Sequence, residues 1–143
     1  MRALWASSGA VLLAVVAVAS YAAGVDQGEK RANGRVFELR TYTAAPGKMD
    51  ALNARFRDHT CRLFKKHGMT IVGFWTPTQP DEAQRKLIYL LAHASKDAAD
   101  KSWQAFRDDP DWTAVKTASE KDGKLVEKIE QVFLNPTDYS PMK

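Results

Sequence analysis

Six residues carry side chains whose types and spacing could do chemistry. Glu38, Arg40 and Tyr42 recur at every second position in one segment, Tyr89 and His93 share another, and Trp75 lies between the two. Glu38 or His93 could act as an acid or base, Arg40 could face a carboxylate or enolate, and the tyrosines could donate hydrogen bonds. Trp75 would form the apolar wall of such a pocket. The same residues admit a purely structural reading, with Glu38 and Arg40 as cross-strand or interface ion pairs and Tyr89 and His93 as satisfied interior polar groups. Buried charges are usually paired for structural reasons, which favours this second reading.

Metal chemistry finds less support. His59 and His67 are eight positions apart on a helical pattern, which separates them by about 12 Å, too far to share one ion. His59 and Cys61 point to nearly opposite sides of the same helix. No metal site and no cofactor is expected, although a haem needs only one ligand and His59 or His93 could supply it. His67, next to Gly68, is expected to cap a helix end. Cys61 has no neighbouring base and is expected to be a small buried thiol. Arg55, Arg62 and Lys66 are expected to form a solvated basic face. No phosphate-binding glycine loop, nucleophile elbow or paired-cysteine zinc pattern occurs.

The elements that must hold these residues can be read from periodicity. Val36 to Thr43 alternates, with Phe37, Leu39 and Thr41 on one face and Val36, Glu38, Arg40 and Tyr42 on the other, as in a strand. After Pro46-Gly47, apolar residues recur at three- and four-residue steps from Met49 through Leu52, Phe56 and Leu63 until Gly68, which predicts a helix with a glycine stop. Thr70 to Thr76 is β-branched and aromatic, and Pro77, Pro80 and Asp81 mark a loop. Lys86 to His93 is a third strand. Ser95 is a good N-cap for a helix whose stripe is Ala99, Trp103 and Phe106. Asp109-Pro110 interrupts that helix and can restart one, with Trp112, Val115 and Ala118 inward. Gly123 stops it, and Lys124 to Leu134 is the last strand.

The resulting order, strand, helix, strand, strand, helix, strand, predicts an α+β domain of the ferredoxin-like βαββαβ type. Two helices would cover one face of a four-stranded antiparallel sheet. The uncovered face is expected to carry Trp75, Leu87, Tyr89, Leu91, Ile129 and Phe133, a large apolar patch that a sheet-to-sheet homodimer would bury.

The chain ahead of this domain is different in kind. Of its first 25 residues only Arg2 is a basic side chain, and an unbroken apolar run extends from Ala10 to Ala19. A spanning helix needs roughly 17 to 25 apolar residues and a secretory apolar core about 7 to 15, so residues 1–22 are expected to be a signal peptide cleaved after Ala22. A membrane anchor is the alternative if the leader stays uncleaved. Residues 23–35 are Gly-rich and polar, and are expected to be a flexible linker. Export to the periplasm or the medium follows, and with Cys61 as the single cysteine the mature chain has no internal disulfide. A formal charge of +4 over 143 residues is too small to argue for nucleic acid.

The motifs Phe37-Glu38-Leu39-Arg40-Thr41-Tyr42-Thr43, Pro46-Gly47-Lys48, Gly73-Phe74-Trp75-Thr76, Trp103-Gln104-Ala105-Phe106, Asp109-Pro110-Asp111-Trp112 and Pro136-Thr137-Asp138-Tyr139-Ser140-Pro141 occur in this order. As a set they resemble the NIPSNAP family over residues 36–141. The resemblance implies a dimeric α/β barrel built from ferredoxin-like units, and it implies no settled reaction. Members often carry His, Trp and Tyr along the third strand, where this chain has Tyr89, Leu91 and His93. The functional expectation is an exported homodimer that binds a small apolar or aromatic molecule or a protein partner. The alternative is a cofactor-independent oxidoreductase, monooxygenase-like, working in a cavity of the barrel.

Overall fold

A computed structural model describes residues 34–143. The expected signal peptide over 1–22 and nearly all of the expected linker over 23–35 lie outside the described residues. No helix among the described residues is long and apolar enough to cross a membrane.

Nine residues of alternating burial form β1, Val36–Ala44. The first helix, α1, runs as α-helix over Met49–Arg55, opens into a π-helical turn over Phe56–Thr60, and resumes over Cys61–Lys66. Gly68, at φ +77°, turns the chain out of it, a conformation that costs glycine nothing. Then come β2, Thr70–Trp75, a single helical turn α2, Pro80–Ala83, in the expected loop, and β3, Lys86–His93. Ser95 caps α3, Lys96–Asp108, by accepting from the Ala98 amide at 3.1 Å. Asp109 ends α3 and caps α4, Pro110–Ser119, accepting from the Asp111 amide at 2.9 Å. The last strand, β4, is Val126–Leu134. The sheet order is β2-β3-β1-β4 with every pairing antiparallel, the ferredoxin-like arrangement.

Register decides which side chains meet the helices. Glu38 lies opposite Leu91 and Phe133, Arg40 opposite Tyr89 and Gln131, and Tyr42 opposite Leu87 and Ile129. All of these share the helix-covered face. The expected placement of Leu87, Tyr89, Leu91, Ile129 and Phe133 on the uncovered face is therefore corrected: Leu87, Tyr89 and Leu91 are core residues, and Ile129 stays half exposed on the helix side. The reason is that the charged alternation of β1 can be buried once its charges pair, while the helices bring an aromatic layer of Phe56, Phe64, Trp103 and Phe106 onto Tyr89 and its neighbours.

Trp75 alone of that group lies on the uncovered face, opposite Ile88. The cause is a bulge in β2 between Ile71 and Gly73. Strict alternation would put Trp75 on the side of Ile71, but the extra residue places Phe74 there instead and sends Trp75 the other way. The Trp75 indole then lies across Gly73, where a Cβ would come within 2.7 Å of it. Val132 and Leu134 share this face and, with Trp75, are 52%, 41% and 51% exposed respectively.

Two further expectations change. Helix α4 has no buried residue; Trp112 and Val115 are half-buried and Ala118 is exposed. Arg55 is not part of a solvated basic face: it is 5% exposed, beneath α4.

Candidate functional site

The helix-facing side of β1 holds a buried polar cluster. Glu38 is fully buried, and its Oε1 accepts from Arg40 Nε at 2.7 Å. Its Oε2 takes two bonds, from His93 Nε2 at 2.8 Å and from Trp103 Nε1 at 2.6 Å. Burial pushes the Glu38 carboxyl up, but the bonds from His93, Trp103 and Arg40 outweigh it and hold the group below its ordinary value. An ionised carboxylate only accepts, so the network assigns the proton to His93 Nε2 and leaves the buried Nδ1 without a partner. Arg40 lies over the Trp103 ring at 3.7 Å and donates to Gln131 Oε1 at 3.1 Å and, at 3.4 Å, to the Tyr42 hydroxyl.

The structure thus brings together Glu38, Arg40, Tyr42, Tyr89 and His93 on one side of the sheet. Trp75 is on the other side and forms no wall of this group. Tyr89 is fully buried with its hydroxyl unpartnered, and burial first, then Tyr42, raise its pKa well above the usual value. Trp103 belongs to the cluster although its helical spacing marks it only as core. No sequence pattern shows that its indole N–H, on α3, will meet a carboxylate 65 positions earlier.

Beside this cluster the two layers part. A cleft of about 450 Å3 lies between α1, α3 and α4 on one side and β1 and β4 on the other. Its apolar walls are Phe56, Phe64, Phe106 and Trp112, and Tyr42 joins it to the polar cluster. The Phe106 and Trp112 rings lie 4.5 Å apart. Arg55 lines the same cleft, with Nη1 donating to Glu120 Oε1 at 3.0 Å and to Ser119 Oγ at 3.3 Å. Its Nε is buried without a partner. The π-helical turn begins at the next residue, and the Thr60 hydroxyl donates to the Arg55 carbonyl at 3.2 Å inside it. Such widened turns often occur where a helix wall meets a functional cavity. Arg55 could have been suspected from spacing, since it follows Leu52 by three and immediately precedes Phe56. Its charge argued the other way.

The remaining sequence candidates are elsewhere. His67 is the C-cap residue of α1, as expected, through its backbone N–H, which donates to the Leu63 carbonyl at 3.1 Å, while its ring Nε2 meets Asp109 Oδ2 at 2.6 Å. Lys66 Nζ reaches the same oxygen at 2.8 Å. First Lys66 and then His67 hold the Asp109 carboxyl well below the usual carboxylate range. Cys61 is half-buried, and burial raises its thiol pKa. Among the described residues no group of three or more His, Cys, Asp or Glu side chains could hold a metal ion.

No curated protein matches the chain significantly. Among solved structures, a NIPSNAP family protein of unknown function from Agrobacterium tumefaciens is 22% identical, covering 78% of this chain and 96% of its own, with a TM-score of 0.66. An uncharacterized NIPSNAP domain protein from Burkholderia xenovorans is 21% identical over 74% of this chain and 98% of its own, with a TM-score of 0.63. SnoaB, a cofactor-independent oxygenase from Streptomyces nogalater solved as a point mutant, is 14% identical over 75% of this chain and 97% of its own, with a TM-score of 0.50. These likenesses establish the fold. The NIPSNAP family model matches residues 37–141, nearly all of the described chain, and the chain therefore belongs to the NIPSNAP family.

Proposed function

We propose that this NIPSNAP domain is an exported, homodimeric binding module that takes a small apolar or aromatic molecule in the cleft beside β4. The observation that carries the reading is the cleft itself. Its volume of about 450 Å3 and its mostly apolar lining with a few polar groups are those of a small-molecule site. Export rests on the apolar leader, and the dimer on the exposed apolar side chains of Trp75, Val132 and Leu134 on the open sheet face. Native mass spectrometry of the purified mature protein tests the binding. A bound small molecule is expected, and it should be lost when Ile129→Trp fills the cleft mouth. A chain that carries nothing and takes up no aromatic probe would count against the reading.

A cofactor-independent oxidoreductase, with His93 or Glu38 as base and Arg40 stabilising an anion, has less support from the geometry. Arg40 and His93 each bond to Glu38, which also accepts from Trp103, and none of the three lines the cleft. Conversion of an activated phenol or enol that is lost in His93→Gln, with folding and ligand binding intact, would favour that alternative.

A further inference from the structure

We infer that the cleft is selective for aromatic carboxylates, with Arg55 as the anion anchor and Glu120 as the internal counter-ion that a ligand carboxylate displaces. This inference rests on the reading of the cleft as a small-molecule site and names the class of molecule.

The Arg55 side chain is 4% exposed, yet it lines the cleft. A guanidinium offers five N–H donors in a planar fork suited to bidentate carboxylate binding. Here both of its side-chain bonds leave from Nη1, and the buried Nε has none. Its edge is therefore incompletely used by Glu120 and Ser119. Glu120 is the C-cap residue of α4 and its side chain is 21% exposed, so it can swing outward without disturbing the core. Trp112, whose ring centre is 5.3 Å from the guanidinium carbon, sets an aromatic surface next to the charge. A ligand with a flat ring and a carboxylate would meet both. The other charges lining the cleft are Lys116, Lys124 and Glu127, so once Glu120 turns away the cleft is net positive.

Calorimetric titration of the purified protein with 2-naphthoate and with the neutral 2-naphthalenemethanol tests this. Naphthoate should bind at least ~10-fold more tightly than the alcohol, the scale expected when a charge-assisted pair forms in a mostly desolvated site. Arg55→Met should abolish the preference. Because that change also strands Glu120 and could impair folding, Glu120→Gln supplies an independent sign: it removes the competing carboxylate and should raise naphthoate affinity several-fold while leaving the alcohol unchanged. Equal affinities for the two probes, or a preference unmoved or reduced by Glu120→Gln, would overturn the anion anchor and leave the apolar cleft standing. Binding of neither probe would overturn both.

Discussion

Glu38 organises the interior around one charge. A fully buried carboxylate is costly unless several donors converge on it, and Arg40, His93 and Trp103 do so from two strands and a helix. Removing one partner of such a pair leaves the other uncompensated, so Glu38→Ala should lower stability by roughly 3–5 kcal/mol in urea unfolding. The pH dependence follows from the direction of the shift. Because the folded-state pKa of Glu38 is depressed from its ordinary 4.5, its contribution is present above that value and is lost as pH falls through the folded pKa. Unfolding free energy should therefore decline below about pH 4.5, and Glu38→Gln should flatten that decline. A mutant slope as steep as that of the wild type would contradict the assignment.

At the scale of elements, Asp109 joins three of them. It is the N-cap of α4, the C-terminal boundary of α3, and the partner of Lys66 and His67 at the end of α1. The Asp109-Pro110 pair could be read as an interruption and restart from proline geometry alone, and the structure has that break. Convergence of Lys66 and His67 on the cap carboxylate was not legible, because it depends on how α1 lies against α4. Asp109→Ala should lower Tm by about 4–8 °C, the usual worth of a lost cap in a domain of about this size. Asp109→Asn keeps a cap acceptor and should cost clearly less in the same thermal melt. The π-helical turn of α1 is likewise invisible to regular three-and-four spacing, yet it starts at Phe56 directly after Arg55, and both of these residues and Thr60 line the cleft.

At the scale of the molecule, the helices among the described residues cover one face of the sheet and leave the other without a helix. Trp75, Val132 and Leu134 give this second face its exposed apolar character, while Lys128 and Glu130 pair at 2.8 Å on the same side. The proposed dimer buries that face, and light scattering should give twice the chain mass at micromolar concentration. Val132→Asp places a charge among the exposed apolar side chains of that surface and should shift the protein to monomer without unfolding it. A wild-type monomer at that concentration would remove the proposal.

Local pattern was enough to specify the element order, the strand-and-helix type of nearly every segment, the cap at Asp109 and the family, because periodicity, proline and glycine act locally and leave their mark in neighbouring positions. It also brought Glu38, Arg40, Tyr42, Tyr89 and His93 under suspicion as a group. Which face they take was settled by assembly in three dimensions, since a single bulged residue in β2 reverses Trp75 and cross-strand register sets the rest. The same assembly makes Trp103 complete the Glu38 cluster and buries Arg55. Both depend on helices packing across long stretches of chain, and the cost of burying a charge is decided by partners that no local window contains.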